Sequence, residues 1–144
     1  MYDWANSAFS TTIIAAVLPI YYVSVAGSGL PGNVASAYWG YTTSIALIII
    51  ALMAPILGAA GDFMGAKKRF MAFFMAMGII FTALLFFIME GDWLLASLIF
   101  ILANIGFAGA NVFYDSLLPH IANDQQRDAV STAGYALGYL GGGI

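Results

Sequence analysis

Cysteine is absent from the 144 residues, and charge is scarce: four Lys and Arg, seven Asp and Glu, one His, and a charged fraction of 8%. The missing cysteines remove disulfides, thiolate metal sites and cysteine nucleophiles, without identifying a compartment. The scarcity of charge excludes more. A soluble domain carries about 25% charged and about 45–50% apolar residues, whereas apolar residues make up 62% here. A water-soluble fold of that balance would expose large apolar patches, so the solvent this sequence expects is lipid. No basic stripe for nucleic acid can be built from four bases. Missing too are the Gly-x-x-x-x-Gly-Lys-Ser/Thr phosphate loop, His-Glu-x-x-His, paired carboxylates framing a cleft, and His-x-Glu with Pro-Cys-x-x-Cys. Neither an enzyme nor a cofactor is expected. His120, beside Pro119, is read as lying in a loop without partner ligands, so no metal site is expected either.

What is present is a short charged stretch between long apolar ones. No Asp, Glu, Lys or Arg occurs from Trp4 to Gly61, and three of the four bases then follow together as Lys67, Lys68 and Arg69. A bilayer core of about 30 Å needs roughly 20 apolar residues of helix. Charge-free runs of that size predict spans over about 4–26, 37–60, 70–89 and 93–117, with a fifth segment over about 129–144. The fold class expected is therefore all-α and polytopic, with four complete membrane helices and the start of a fifth. Gly27-Ser28-Gly29-Leu30-Pro31-Gly32-Asn33 breaks the chain after the first span, Glu90-Gly91-Asp92 makes a tight acidic connection, and a polar loop runs from Ala122 to Asp128. The opening Met1-Tyr2-Asp3-Trp4 lacks the positive n-region of a signal peptide. The last segment is short of a full crossing and stops at Gly141-Gly142-Gly143-Ile144 without a polar flank, so the chain reads as a fragment whose C-terminal remainder holds further helices.

Orientation in a membrane follows the placement of Lys and Arg rather than net charge. The connection after span two holds Lys67, Lys68 and Arg69, that after span four holds Arg127, and the other two hold no base. Loops two and four, and with them the N-terminus, are expected in the cytoplasm. Tyr21, Tyr22, Tyr38, Trp39 and Trp93 then gather near the outer boundary, as interface anchors or as rings that stack on a ligand.

Helices associate in lipid through close backbone approach and interhelical hydrogen bonds. Small residues four apart mark candidate contact faces: Ala54 and Gly58, Ala72 and Ala76, Gly106 and Ala110, and Gly134, Gly138 and Gly142. Pro19 and Pro55 are expected to bend their helices. Polar groups at membrane depth are costly and therefore paired or functional. Asn104, Asn111 and Asp115 share one face of span four with Tyr114 beside them, and Asp3, Asn6 and Ser10 share a face of span one. These residues are candidates for the wall of a polar solute pathway, or for helix pairing alone.

The stretch from Gly58 to Arg69 resembles the loop signature of the major facilitator superfamily, Gly-x-x-x-Asp-(Arg/Lys)-x-Gly-Arg-(Arg/Lys), with Gly58, Asp62, Gly65 and Lys67 in register. Phe63 and Ala66 depart from the pattern where bases are usual, and Lys68 and Arg69 follow a step later. Tyr2-Asp3-Trp4-Ala5-Asn6-Ser7-Ala8-Phe9 and Phe113-Tyr114-Asp115-Ser116-Leu117-Leu118-Pro119 look like hallmarks of a branch related to the autophagy-associated vacuolar effluxers of fungi, which has many bacterial members. The resemblance implies a first part of a six-helix half, a solute site at midplane between two halves, and alternating access. It implies an exported small solute, with an amino acid as candidate, and a bacterial cytoplasmic membrane rather than a vacuole. It also implies a latch in which the Asp62 carboxylate meets a helix terminus of the other half, while Lys67, Lys68 or Arg69 meets Asp115. The arginine on span four associated with proton coupling in many members is not found. Expected partners are the bilayer, the solute and the missing C-terminal half. A membrane scaffold whose polar residues serve helix pairing only is the competing reading.

Overall fold

The computed structural model describes residues 2–64, 66–121 and 127–143; for residues 61–64, 118–121, 127, 129 and 130 only the backbone is described. The described residues are helical with short turns, and no strand occurs among them. Five helices follow in order: α1 (Tyr2–Ala26), α2 (Gly32–Met64), α3 (Lys67–Leu84), α4 (Trp93–Ile121) and α5 (Arg127–Gly143). A single 3₁₀ turn, Leu85–Phe87, prolongs α3. The first four are long and apolar enough to cross a membrane, and α5 has 17 residues.

The boundaries differ from the charge-free runs in instructive ways. α2 begins at Gly32, ahead of the expected Ala37, because Pro31 opens the helix: its carbonyl accepts from Val34 N–H at 2.8 Å and Ala35 N–H at 3.0 Å. A proline with fixed φ suits a first turn, so the glycine and proline loop is shorter than its composition suggested. α2 then continues past Ala60 through Asp62 to Met64. α3 starts at Lys67 rather than Phe70, which moves the three bases out of the loop into a helical first turn. α4 runs through Pro119 to Ile121 instead of stopping at Leu117. Pro55 sits inside α2 without ending it.

Around Pro19 the winding of α1 changes. Phe9–Val17 and Tyr22–Ala26 adopt π-helical turns on either side of Leu18–Tyr21. Leu18 N–H reaches the Ile13 carbonyl and Gly27 N–H reaches the Tyr22 carbonyl at 2.7 Å, each five residues back. Proline has no N–H to give and its ring crowds the carbonyl one turn earlier; a widened turn relieves both without breaking the helix.

The chain divides into two compact units, Tyr22–Ser116 and Met1–Tyr21 with Leu117–Ile144. In the first, α3 and α4 meet across glycine. A methyl placed on Gly106 would lie 2.7 Å from Gly78 Cα and 2.8 Å from the Phe74 carbonyl oxygen, so the two backbones touch. Gly109 leaves room for the Phe74 ring, and Phe113 stacks on Phe70 at 5.2 Å and on Phe74 at 5.8 Å. Phe74, Phe113 and Ala110 are all buried. Ala72 and Ala76 are exposed, and among the described residues α3 meets α4 through Phe70, Phe74 and Gly78. Close approach selects the residue opposite a glycine, whatever its own neighbours four away are. In the second unit α5 packs on α1 through the glycine face. Gly138 lies against Asp3 and Ser7, Gly141 against Trp4, and Gly142 against Thr11, whose hydroxyl donates to the Gly142 carbonyl at 3.1 Å.

Candidate functional site

The loop motif and the polar stripes occupy different parts of this scaffold. Lys67 is nine-tenths buried, and its Nζ donates to the Ser116 carbonyl of α4 at 3.2 Å. A cation in the first turn of a helix opposes the helix dipole, so Lys67 needs compensation from elsewhere. α4 supplies it where its own ladder is weakened, because Pro119 has no N–H for the Asp115 carbonyl one turn back. Lys68 and Arg69 are exposed, as is Asp115, which neighbours the clamped carbonyl. Gly58 is half-buried, with open space where a side chain would stand. The side chain of Asp62, the whole of Gly65, the side chains of His120 and Arg127, and the loop over 122–126 lie outside the described residues.

The stripe on α4 has Asn104 buried and Asn111 and Tyr114 half-buried. The stripe on α1 has Asp3, Asn6 and Ser10 half-buried, with Ser10 Oγ donating back to the Ser7 carbonyl at 3.0 Å. Ser10 is thereby satisfied within its own helix. Asn104 and Asn111 belong to one compact unit, and Asp3, Asn6 and Ser10 to the other. Ala54 lines an open groove between α2 and α4 whose empty space is about 190 Å³. That groove is walled by apolar side chains such as Ile50, Leu57, Ile105 and Val112, and offers a hydrogen-bonding solute nothing.

A third group was not anticipated. Tyr22 Oη lies 2.7 Å from Ser97 Oγ, Thr42 Oγ1 donates to Ser97 Oγ at 2.8 Å, and Ser97 Oγ donates to the Trp93 carbonyl at 2.8 Å. With Tyr22 donating, and Thr42 giving its single proton to Ser97 rather than to the Tyr38 carbonyl, also 2.8 Å away, every lone pair and proton of the serine is used. All three hydroxyls are buried and join α1, α2 and α4. Rings close over them: Trp39 sits 5.2 Å from Tyr22 and 4.8 Å from Phe100, and Tyr38 sits 4.7 Å from Trp93. Of the aromatics expected as interface anchors or ligand stackers, Tyr22 pairs with Trp39 and Tyr38 with Trp93. Nearby, Gly91 N–H reaches the Val25 carbonyl at 3.3 Å, and Gly91 holds the one positive φ among the described residues, 86°. Ser97→Ala is expected to cost about 2 kcal/mol, since two interhelical bonds and one back-bond within α4 share that oxygen. Adding Tyr22→Phe should then cost less than it does alone, which a double-mutant cycle on detergent unfolding measures.

Comparison with known proteins places this scaffold. The family model described as "Vacuole effluxer Atg22 like" matches residues 24–144. The chain belongs to this family. It is 44% identical over 145 residues to the uncharacterized MFS-type transporter YxiO of Bacillus subtilis (strain 168), covering 100% of this chain and 34% of that protein. It is 34% identical over 106 residues to autophagy-related protein 22 of Coccidioides immitis (strain RS), covering 73% of this chain and 17% of that one. The chain therefore spans about a third or less of the curated relatives it matches. No solved structure matches it. Family membership agrees with the four membrane-crossing helices and makes this an integral membrane protein of a transporter family.

Proposed function

We propose that these residues form the first part of a secondary active transporter of the major facilitator type, which moves a small polar solute by alternating access. The observation that carries the reading is the motif stretch from Gly58 to Arg69, in a chain whose family is described as effluxers, with its Lys67 fastened onto α4. The loop connects two membrane helices at the face where the bases lie, and the positive-inside rule puts that face, with the N-terminus, in the cytoplasm. Lys67 acts as the fixed half of a latch and ties α3 to α4, while the Asp62 carboxylate is the half that meets the remainder of the protein. An anion near a helix N-terminus gains roughly 0.3–1 kcal/mol when exposed, and more when partly buried. That is enough to bias a two-state equilibrium. Amino acids are the solute class to test first, and outward movement from the cytoplasm the direction.

The experiment is solute flux in vesicles containing the full-length protein, screened over amino acids. Asp62→Asn is expected to lower the initial rate about two- to fivefold while leaving membrane insertion intact. Wild-type flux from that variant would remove the latch. No flux of any solute tested, from well-inserted wild-type protein, would favour a scaffold.

A further inference from the structure

Within α4, Asn104 is an exception to a well-satisfied set of polar groups. The buried hydroxyls of Tyr22, Thr42 and Ser97 bond one another, Lys67 bonds a carbonyl, and Asn111, Tyr114 and Asp115 all have interactions. Asn104 is nine-tenths buried, yet among the described residues no group hydrogen-bonds its carboxamide. A primary amide carries two N–H donors and a carbonyl acceptor, and withdrawing all of them from water without a partner is strongly unfavourable. Within a membrane no solvent is at hand to replace the missing bonds. Leucine or alanine would serve packing better at this position, as Ala103 beside it does with no exposed surface at all.

The surroundings restrict what could complete the amide. From Phe70 to Tyr114 the only charged residues are Glu90 and Asp92, in the connection before α4, and none lies between Trp4 and Gly61. Asn104 lies one heptad beyond Ser97, on the face of α4 that also carries Asn111. That face carries amide dipoles and no formal charge until Asp115. An amide pairs best with a group that both donates and accepts, such as another carboxamide or a hydroxyl.

We propose that Asn104, whose carboxamide is unpaired among the described residues, is a solute-recognition residue, and that it reads an uncharged hydrogen-bonding group of the solute. The proposal rests on the transport reading above for its setting, but its central claim concerns binding and can be tested apart from flux. An unpaired amide and a structurally paired one respond oppositely to an apolar replacement of similar size. Loss of a paired amide leaves its partner orphaned and destabilises the protein, whereas loss of an unpaired one does not.

The test uses purified full-length protein, wild type and Asn104→Leu. Melting temperatures are recorded alone and with glutamine, serine or inositol, with glutamate and lysine as charged comparators. The expected result is that at least one neutral probe raises the wild-type melting temperature by roughly 3 °C. Asn104→Leu should melt at or above wild type without probe and lose that rise, and Asn104→Gln should change which probe is preferred. A drop of roughly 3 °C or more for Asn104→Leu without probe overturns the proposal, because the amide was then paired at rest. It is also overturned if no neutral probe stabilises the wild type, or if the probe-induced rise survives in Asn104→Leu. Probe binding that depends on Asn104 but brings no flux in vesicles would overturn the transport reading and leave the recognition role standing.

Discussion

Gly106→Val is expected to lower the unfolding free energy of the full-length protein by about 3 kcal/mol, at the upper end of the usual cost of overpacking. The size follows from what the new atoms would meet. The first of them would lie 2.7 Å from Gly78 Cα and 2.8 Å from the Phe74 carbonyl oxygen. Both are main-chain atoms of α3, so no side-chain rotation makes room and the helices must part. Parting them unseats Phe74 from the space above Gly109 and separates the ring stack of Phe70, Phe74 and Phe113. Lipid tails cannot compensate, since what is lost is dispersion contact between close-packed surfaces, and helix association in a membrane has little else to draw on. Gly40→Ala provides the contrast. Gly40 is exposed with nothing near its Cα hydrogens, so the added methyl improves helix propensity by about 1 kcal/mol and does not harm packing. Unfolding in mixed detergent measures both, and a Gly106→Val protein as stable as wild type would disprove the backbone contact.

Lys67→Met is expected to reduce vesicle flux about tenfold. The contact of Lys67 Nζ with the Ser116 carbonyl is a hydrogen bond from a charged donor at a buried site, a class worth about 1.5–3 kcal/mol net. Methionine keeps much of the stem's length and packing and removes the ammonium. The Ser116 carbonyl then loses its ligand beside the point where Pro119 has already weakened the ladder of α4. About 1.4 kcal/mol suffices for a tenfold change in an equilibrium constant. Insertion should be unaffected, because Lys68 and Arg69 remain to set topology. Lys67→Arg should retain most of the flux by presenting another cation to the same carbonyl. Initial rates of solute flux, alongside a reporter fused after Arg69, separate a lost clamp from a misinserted protein. Full flux from Lys67→Met would mean that the contact only seats the side chain.

Much of the fold was legible because lipid imposes a coarse rule. Runs without charge located all five helices, since burying an unpaired charge in a bilayer is prohibitive over a whole span. Their ends were legible less well, because Pro31 and Pro119 act on hydrogen bonds rather than on hydropathy, and because a helix can carry Lys67, Lys68 and Arg69 if one of them finds a carbonyl. Packing was half legible. Gly106 with Ala110, and Gly138 with Gly142, announce close faces by spacing, whereas Gly78 has Phe74 and Thr82 as its neighbours four away and gives no such signal. The hydroxyl group of Tyr22, Thr42 and Ser97 was not legible at all. Its members lie on three helices, and 55 residues separate the two of the Thr42–Ser97 bond. No local period encodes that meeting. Asn104 is legible as a costly polar residue, but only the three-dimensional arrangement distinguishes it from Asn111, which has an interaction where Asn104 has none among the described residues.

The pairing of α1 with α5 has a consequence for the order of assembly. The bond from Thr11 to Gly142 spans 131 residues, whereas α3 and α4 meet through residues much closer in sequence. At a synthesis rate of about 5–20 residues per second, roughly 7–26 seconds pass between the appearance of Thr11 and that of Gly142. During that interval α2, α3 and α4 can insert and pack, while the face of α1 that carries Asp3, Ser7 and Thr11 waits for its glycines. Of the five described helices, α1 is thus made before the others and closed after them, and its polar face needs temporary cover until α5 emerges.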